Sequence, residues 1–389
     1  MSLKVPENHR DVLIEPSRDK WPEIIKKNKD KSRINKPYML GCGHQSTFFH
    51  PGVLFKEIAV NSFKNISQKA NIVCDTEIPE NVHIKLPQGT VNLKENTEKV
   101  PYCRIPPLSE EEITQSQRYL DSKFFKTMLE LTETENFAGQ LTNTKEIFLK
   151  KNDFSLPQVY LSDLLATYVY QEFYNGIEKR RDEFIEIYNR SLDEISYQTG
   201  IRKLEEEELP FWERDNIKMP VPKAIPLSIF FRLYLFDLYV EGVGGSHYRM
   251  SADYIIENFY KEVPPQTAVA SATLWYKGEG NGNLDKDIFV TQEVIRRMQE
   301  NPQEFTGNAK DINEIEDLIG SLNISDEKAE IHDRIKQKKK ELISKIEDKL
   351  DEKKNKLEEL KRQKDNNSRE YPYFIYTEDD IKQLFKITS

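Results

Sequence analysis

Cysteine is scarce: Cys42, Cys74 and Cys103 are the only three in 389 residues. So few, and an odd number, exclude a disulfide framework. Long apolar runs are missing as well. The densest, Ile225 to Val243, is interrupted by Arg232, Asp237 and Glu241, whereas a membrane-spanning helix needs ~20 consecutive apolar residues. The opening residues, through Asn8-His9-Arg10-Asp11, are polar and contain no apolar signal-peptide core. Excess positive charge is absent too: the formal net charge is -9, and neutralising a phosphate backbone takes a concentrated basic face. Walker-type lysine loops, Gly-x-Ser-x-Gly elbows and EF-hand loops do not occur. These absences set the expectation of a cytoplasmic protein with neither a membrane nor a nucleic acid as partner.

What is present is charge of both signs. Charged residues make up 32% and hydrophobic residues 37% of the chain, and mean hydropathy is -0.70. Such a balance suits a folded core carrying a large solvated surface, as a projecting charged helix would produce. Residues 1–36 read as an irregular arm with one short helix near Trp21–Lys27. Pro37-Tyr-Met-Leu40 is a short apolar run that reads as a strand stopping at Gly41-Cys42-Gly43. After Pro51-Gly52, the residues Val53, Leu54, Ile58 and Phe63 suggest a helix, and Asn71 to Asp75 is a second apolar run. Strand, glycine turn, helix and strand make a βαβ unit, so the expected class is α/β with a Rossmann-like, mostly parallel sheet.

Prolines cut residues 76–110 into strands and turns. Two helical stretches are expected next, Glu110–Glu135 and Leu161–Tyr197, the second lying in a helical segment 161–208. The core is assigned to 37–325, with a loose loop at 276–284. From Asp326 to Arg369 there is no Pro or Gly, and Ile343, Ile346, Leu350, Leu357 and Leu360 recur at spacings of three and four. That stretch, 326–370, reads as a projecting antiparallel coiled-coil arm, pairing with the Leu161–Tyr197 helix or with a second subunit. Residues 371–389, opening with the β-like run Tyr371 to Tyr376, return to the core.

Two constellations carry chemistry. Gly41-Cys-Gly-His-Gln-Ser-Thr-Phe-Phe-His-Pro-Gly52 follows the first strand. Its glycines let backbone approach a ligand, and the following helix offers N–H groups and a positive dipole end to an anion. His44 and His50 are the catalytic candidates, because imidazole transfers protons near neutral pH. Gly43, Gln45, Gly52 and Lys56, one turn into the helix, are ligand-binding candidates. Glu241-Gly-Val-Gly-Gly-Ser-His-Tyr248 repeats the pattern and contributes Gly244, Gly245, His247 and Tyr248. Asp75 and Glu77 follow the second strand, where a carboxylate can bind a ribose hydroxyl or act as a base. Arg232, inside an apolar helix, needs a partner, with Asp237 or Glu241 nearest in sequence. Cys42, His44 and His50, with Cys74 or His247, offer zinc-type ligands at spacings that match no structural zinc pattern, so no metal is expected.

Gly43-His-Gln-x4-His-Pro-Gly-x3-Lys56 resembles the opening turn of a bacterial family. Pro222-Lys-Ala-Ile-x-Leu, Arg232, Asp237-Leu-Tyr-Val-x-Gly-Val-Gly-Gly-x-x-Tyr248, Asp253, Pro264-Pro265 and Ser271-Ala-Thr-Leu274 resemble its second half. Both halves are more distantly similar to the bacillithiol-biosynthesis cysteine-adding ligase, which pairs a Rossmann-like core with a dimerising coiled-coil arm and joins cysteine to a glucosaminyl-malate acceptor. This chain is shorter, carries Asp75-Thr-Glu77 where that ligase has an acidic stretch with histidine, and lacks the glutamate of the later turn. The resemblance implies His44, Gln45, Lys56, Gly244, Gly245 and Tyr248 as pocket residues. The expected function is a ligase- or transferase-like enzyme holding a small anion (nucleotide, sugar acid or amino acid) between the two turns, with ATP or another nucleotide as the candidate cofactor. A histidine-loop nucleotidyltransferase and a non-catalytic coiled-coil assembly protein are the alternatives, and a homodimer through the coiled coil is expected.

Overall fold

Five parallel strands form the centre of the molecule: β2 (Tyr38–Gln45), β3 (Lys69–Cys74), β6 (Gln158–Tyr160), β9 (Phe236–Glu241) and β10 (Ala268–Ala272). They lie in the order β6-β3-β2-β9-β10, and β1 (Val12–Glu15) closes the β10 edge antiparallel. The chain therefore builds outward from β2 in one direction, then returns to lay β9 and β10 on its other side. The order reverses between β2 and β9. The computed structural model describes all residues except 1–2, 65, 88, 96, 98–99, 118–122, 151–153, 155, 194–200, 215–216, 277–283, 323–327, 367 and 388–389; most of the loop expected at 276–284 thus lies outside the described residues.

β2 corrects the first expectation. It does not stop at the glycines but runs through Gly41 and Gly43 to Gln45. The reason is close packing: a Cβ on Gly41 would sit 2.0 Å from the Phe236 ring, and one on Gly43 would sit 3.2 Å from Ile72 O. Neighbouring strands use the space that side chains would occupy.

Both faces of the sheet are covered. On one, Leu40, Cys42, Leu238 and Val240 pack with α1 (Trp21–Lys31), α2 (Pro51–Asn61) and α5 (Phe137–Lys150). On the other, Ala70, Ile72 and Phe236 pack with α7 (Tyr168–Glu178), α8 (Arg181–Ser191), α9 (Ala224–Phe230) and α11 (Arg249–Ile255). Burial on both faces explains the continuous apolar character of the strands. The N-terminal stretch is no irregular arm, since it supplies β1 and α1.

The long helix expected over Leu161–Tyr197 is broken into α6 (Leu161–Leu165), α7 and α8. Thr167 caps α7 by accepting from Tyr170 N, and so ends the preceding turn. The stretch Glu110–Glu135 contains α3 (Glu110–Gln117) and α4 (Lys123–Leu129). Two small antiparallel ladders complete the strands: β4 (Val82–Leu86) with β5 (Gly89–Lys94), and β7 (Phe211–Trp212) with β8 (Val221–Pro222). No described helix is long and apolar enough to cross a membrane.

The chain divides into two compact units, Met1–Gly278 with Arg369–Ser389, and Glu279–Ser368. The boundary falls well before Asp326. The second unit holds α12 (Leu284–Glu300), α13 (Ala309–Leu322), α14 (Lys328–Lys345) and α15 (Glu347–Asn366). Seam residues Ile343, Ile346 and Leu350 pack within this unit, on Val294, Ile295 and Met298 of α12. Lys345 pairs with Asp311 and Lys338 with Glu314, so partner numbers fall as numbers rise, and α13 and α14 run antiparallel. Within this unit the partners of those seam residues are thus α12 and α13. In the first unit the run Tyr371–Tyr376 is a short turn rather than a strand, followed by α16 (Glu378–Ile387), and Tyr373 N donates to Phe49 O at 3.0 Å.

Candidate functional site

In an open parallel sheet the loops leaving adjacent strands diverge where strand order reverses, and a crevice opens at the carboxyl ends. Here that place lies between β2 and β9. A hollow of about 480 Å³ occupies it, lined by Gly43, His44, Gln45, His50, Gly52 and Lys56 from the first constellation and by Glu241, Gly244, Gly245 and Tyr248 from the second. The two glycine-bearing segments do face one space. The single-digit placement of residues within it differs from the sequence expectation in several ways.

Lys56 forms part of the hollow's wall from α2. It is buried, with 7% exposure, and its Nζ donates to Gly43 O at 2.6 Å. Burial pulls its pKa below the ordinary lysine value. Among the described residues no carboxylate lies within ion-pairing distance of it. A buried lysine amine with one carbonyl partner has hydrogen-bonding capacity to spare for a ligand.

His50 is a helix cap. Its Nδ1 accepts from Gly52 N at 3.1 Å, and its carbonyl accepts from Val53 N at 3.0 Å. The first turn of α2 therefore has its N–H groups occupied, and the expected free anion cradle at that helix end is corrected. Burial, helped by Arg369, brings His50 down to about 4, so the ring is neutral at pH 7. With Nδ1 accepting, its proton sits on Nε2 and is available to the hollow.

His44 belongs to a buried network. Nδ1 lies 2.8 Å from Gln45 O and Nε2 lies 2.5 Å from Glu57 Oε1, so neither nitrogen is free. Glu57 is wholly buried and also accepts from Lys145 Nζ at 2.7 and 2.9 Å. Gln158 Nε2 donates to Glu57 Oε2 at 3.3 Å, and Asn71 Nδ2 lies 3.5 Å from His44 Nε2. Burial lowers the His44 pKa, against the pull of Glu57. Burial would raise the Glu57 carboxyl, but Lys145 and then His44 outweigh it and hold it at about 2. His44 thus positions the β2 end. The structure gives it no proton to exchange with a ligand.

Gln45 Nε2 donates to Glu77 Oε1 at 3.2 Å, and both line the hollow. Burial raises the Glu77 carboxyl, opposed by the Gln45 bond and by Arg214. Gly52 is needed for fit, because a Cβ there would lie 2.6 Å from Ala272 O. On the far side, Glu241 Oε1 is taken by Arg249 Nε and Nη2 at 2.8 and 2.6 Å and by Thr267 Oγ1 at 2.9 Å. Gly244 has open space where a Cβ would be, and a Cβ on Gly245 would lie 3.4 Å from Glu241 Cβ. These residues form the four-residue helix α10 (Val243–Ser246).

Three expectations are corrected by placement. His247 is exposed and does not line the hollow. Asp75 faces away, accepting from Ser162 N at 2.9 Å and Ser162 Oγ at 2.6 Å. Arg232 pairs with Asp253, not with Asp237 or Glu241, and donates to Pro265 O at 2.8 Å. No group of three His, Cys, Asp or Glu side chains among the described residues is placed to hold a metal ion.

Sequence reasoning missed Arg369, Trp212, Glu57 and Lys145. The last two left a trace: Leu141, Lys145 and Leu149 share one buried helix face, and a lysine there requires a partner. Arg369, which lines the hollow and donates from Nη1 to Thr273 Oγ1 at 3.1 Å, left none. The fold and site together define an open α/β protein with a polar crevice at its strand reversal, lined by Lys56, Arg369, Glu77 and Glu241. No protein-family model and no curated protein matches the chain.

Proposed function

We propose that the hollow binds a small anion and that the protein is a ligase- or transferase-like enzyme on a Rossmann-like core. The observation that carries this reading is Lys56: an amine buried at the β2–β9 crevice, donating to Gly43 O and with no carboxylate partner among the described residues. Arg369 adds a cation and His50 Nε2–H a neutral donor, so developing negative charge would meet preorganised donors. Glu77, raised by burial in the same wall, takes the acid–base role that His44 cannot fill. Nucleotides, sugar acids and amino acids all present suitable anions, and the resemblance to the bacillithiol cysteine-adding ligase supports the ligase class. The histidine-loop nucleotidyltransferase reading is not retained, because both His44 nitrogens face internal acceptors and His50 Nδ1 caps a helix.

The second unit is proposed as a coiled-coil-type dimer contact. Its inner seam is used within the chain, which leaves the exposed Phe289 and Val290 of α12, at 63% and 49%, for a second copy. Phe289→Glu should then lower the mass seen by light scattering, and an unchanged mass would remove the contact.

The binding reading is tested by thermal unfolding against ATP, glucuronate, phosphate and glutamate. At least one should raise the melting temperature, and Lys56→Met, folded by circular dichroism, should lose that rise. A shift retained in Lys56→Met would reject the site.

A further inference from the structure

The hollow has one wall that neither glycine-bearing segment supplies. Val5 lines it beside Ser271 and Arg369, and the residues after Val5 are fastened along the carboxyl end of β10. Arg10 N donates to Thr273 O at 2.7 Å and Thr273 N to Asp11 O at 3.0 Å, which prolongs the antiparallel pairing of β1 with β10 beyond both strands. Trp275 holds the segment twice: its Nε1 donates to Glu7 O at 2.8 Å, and its backbone N donates to His9 Nδ1 at 2.9 Å. His9 Nε2 lies 3.3 Å from Asp380 Oδ1, and Arg10 Nη2 donates to the same oxygen at 2.8 Å. Residues 5–10 thus form a strap tied to the exit of β10 and to α16.

Thr273 connects this strap to the guanidinium in the hollow. It is buried, with 1% exposure. Its hydroxyl donates to Pro6 O at 2.5 Å and accepts from Arg369 Nη1 at 3.1 Å. Chemistry forces both directions, because a prolyl carbonyl only accepts and a guanidinium only donates. The hydroxyl has a single proton. With that proton committed to the strap, its lone pairs are left for Arg369. An arginine side chain gives up much rotamer freedom when it is held in one place, so such an anchor decides how well Arg369 is preorganised for a ligand. Asp380 fastens the strap a second time to the segment that carries Arg369, which runs on into α16.

We infer that residues 5–10 are a positioning strap for the hollow, and that Thr273 is the positioning residue through which they set Arg369. The part Arg369 plays in holding a ligand rests on the anion reading; its placement by the strap does not.

The placement is tested on the full-length protein with phenylglyoxal, which modifies arginine guanidinium groups, by following the Arg369 peptide in a mass spectrometer. Thr273→Val keeps the shape and removes the hydroxyl, so Arg369 should react about tenfold faster, the change expected for one lost hydrogen bond to a charged group. Thr273→Ser keeps the hydroxyl and should restore the slow rate. The double variant His9→Ala with Trp275→Phe loosens the strap without touching Thr273 and should also speed Arg369. The exposed Arg190 of α8 should react at one rate throughout, which separates a local release from general loosening. In the same variants, whichever of ATP, glucuronate, phosphate and glutamate binds the unaltered protein should bind Thr273→Val about tenfold more weakly and Thr273→Ser normally. An Arg369 rate unchanged in Thr273→Val or in the strap variant would overturn the inference, as would a fast rate that Thr273→Ser does not correct, or ligand binding that Thr273→Val leaves unweakened. If none of the four ligands binds while Arg369 responds as expected, the anion reading fails and the positioning stands.

Discussion

At the residue scale the site turns on a few atoms whose loss has separable effects. His50 has two jobs, one on each ring nitrogen. His50→Asn keeps an acceptor for Gly52 N and removes the Nε2–H donor, so it should leave stability nearly unchanged and weaken anion binding. His50→Ala should weaken binding similarly and also cost about 1 kcal/mol in urea unfolding, the usual effect of a lost cap. Gly52→Ala places a Cβ against Ala272 O, a backbone atom that cannot swing aside. It should destabilise the protein by about 1–3 kcal/mol. Glu57 gives the pH signature. Its folded-state pKa is depressed to about 2 from the ordinary 4.5, so its contribution is complete above the unfolded-state value and is lost as pH falls through this window. Chemical unfolding between pH 7 and pH 3 should show stability declining below about pH 4.5, and Glu57→Gln should flatten that decline.

At the scale of elements, the buried pair joins α5 to α2. Lys145→Met leaves the Glu57 carboxylate with His44 and the Gln158 amide but no permanent cation, and should cost about 3–5 kcal/mol. The double change Lys145→Met with Glu57→Gln should recover part of that loss, because no uncompensated charge remains. Equal destabilisation in single and double variants would show that the pair acts only through packing. The helices themselves were partly readable in the sequence. Phe173, Ile177, Phe184 and Tyr188 recur at helical spacing and are all buried, whereas Tyr168, in the same expected series, is 70% exposed. Their breaks were not readable, because they depend on the Thr167 cap and on short turns rather than on Pro or Gly. The β2 glycines misled in a definite way. Glycine after an apolar run usually ends a strand, but here Phe236 and Ile72, distant in sequence, claim the space of the missing side chains.

At the scale of the whole molecule, Glu279–Ser368 is an inserted unit with its own small apolar cluster of Met298, Ile346 and Leu350. Leu350→Ala should therefore loosen this unit, by about 2–5 kcal/mol. Hydrogen exchange should speed in α12 and α15 while β2, β3 and β9 keep their protection, an outcome that a single cooperative core would not give. The inserted unit was legible as a composition change, since Lys and Glu dominate after Asp326. Its true start was not, because α12 and α13 are amphipathic helices of ordinary composition.

The sequence by itself determined that the sheet would be mostly parallel, because short apolar runs alternate with amphipathic helices. It also determined that Gly43, Gln45, Gly52, Lys56, Gly244, Gly245 and Tyr248 would border a crevice, because such segments leave strand ends. Tertiary structure alone decided that His44 faces Glu57, that Asp75 turns to Ser162, and that Arg369 reaches the hollow. Pattern fixes which side of an element is apolar; the partner of a polar atom is chosen by segments far away in sequence, which close on it only when the chain folds.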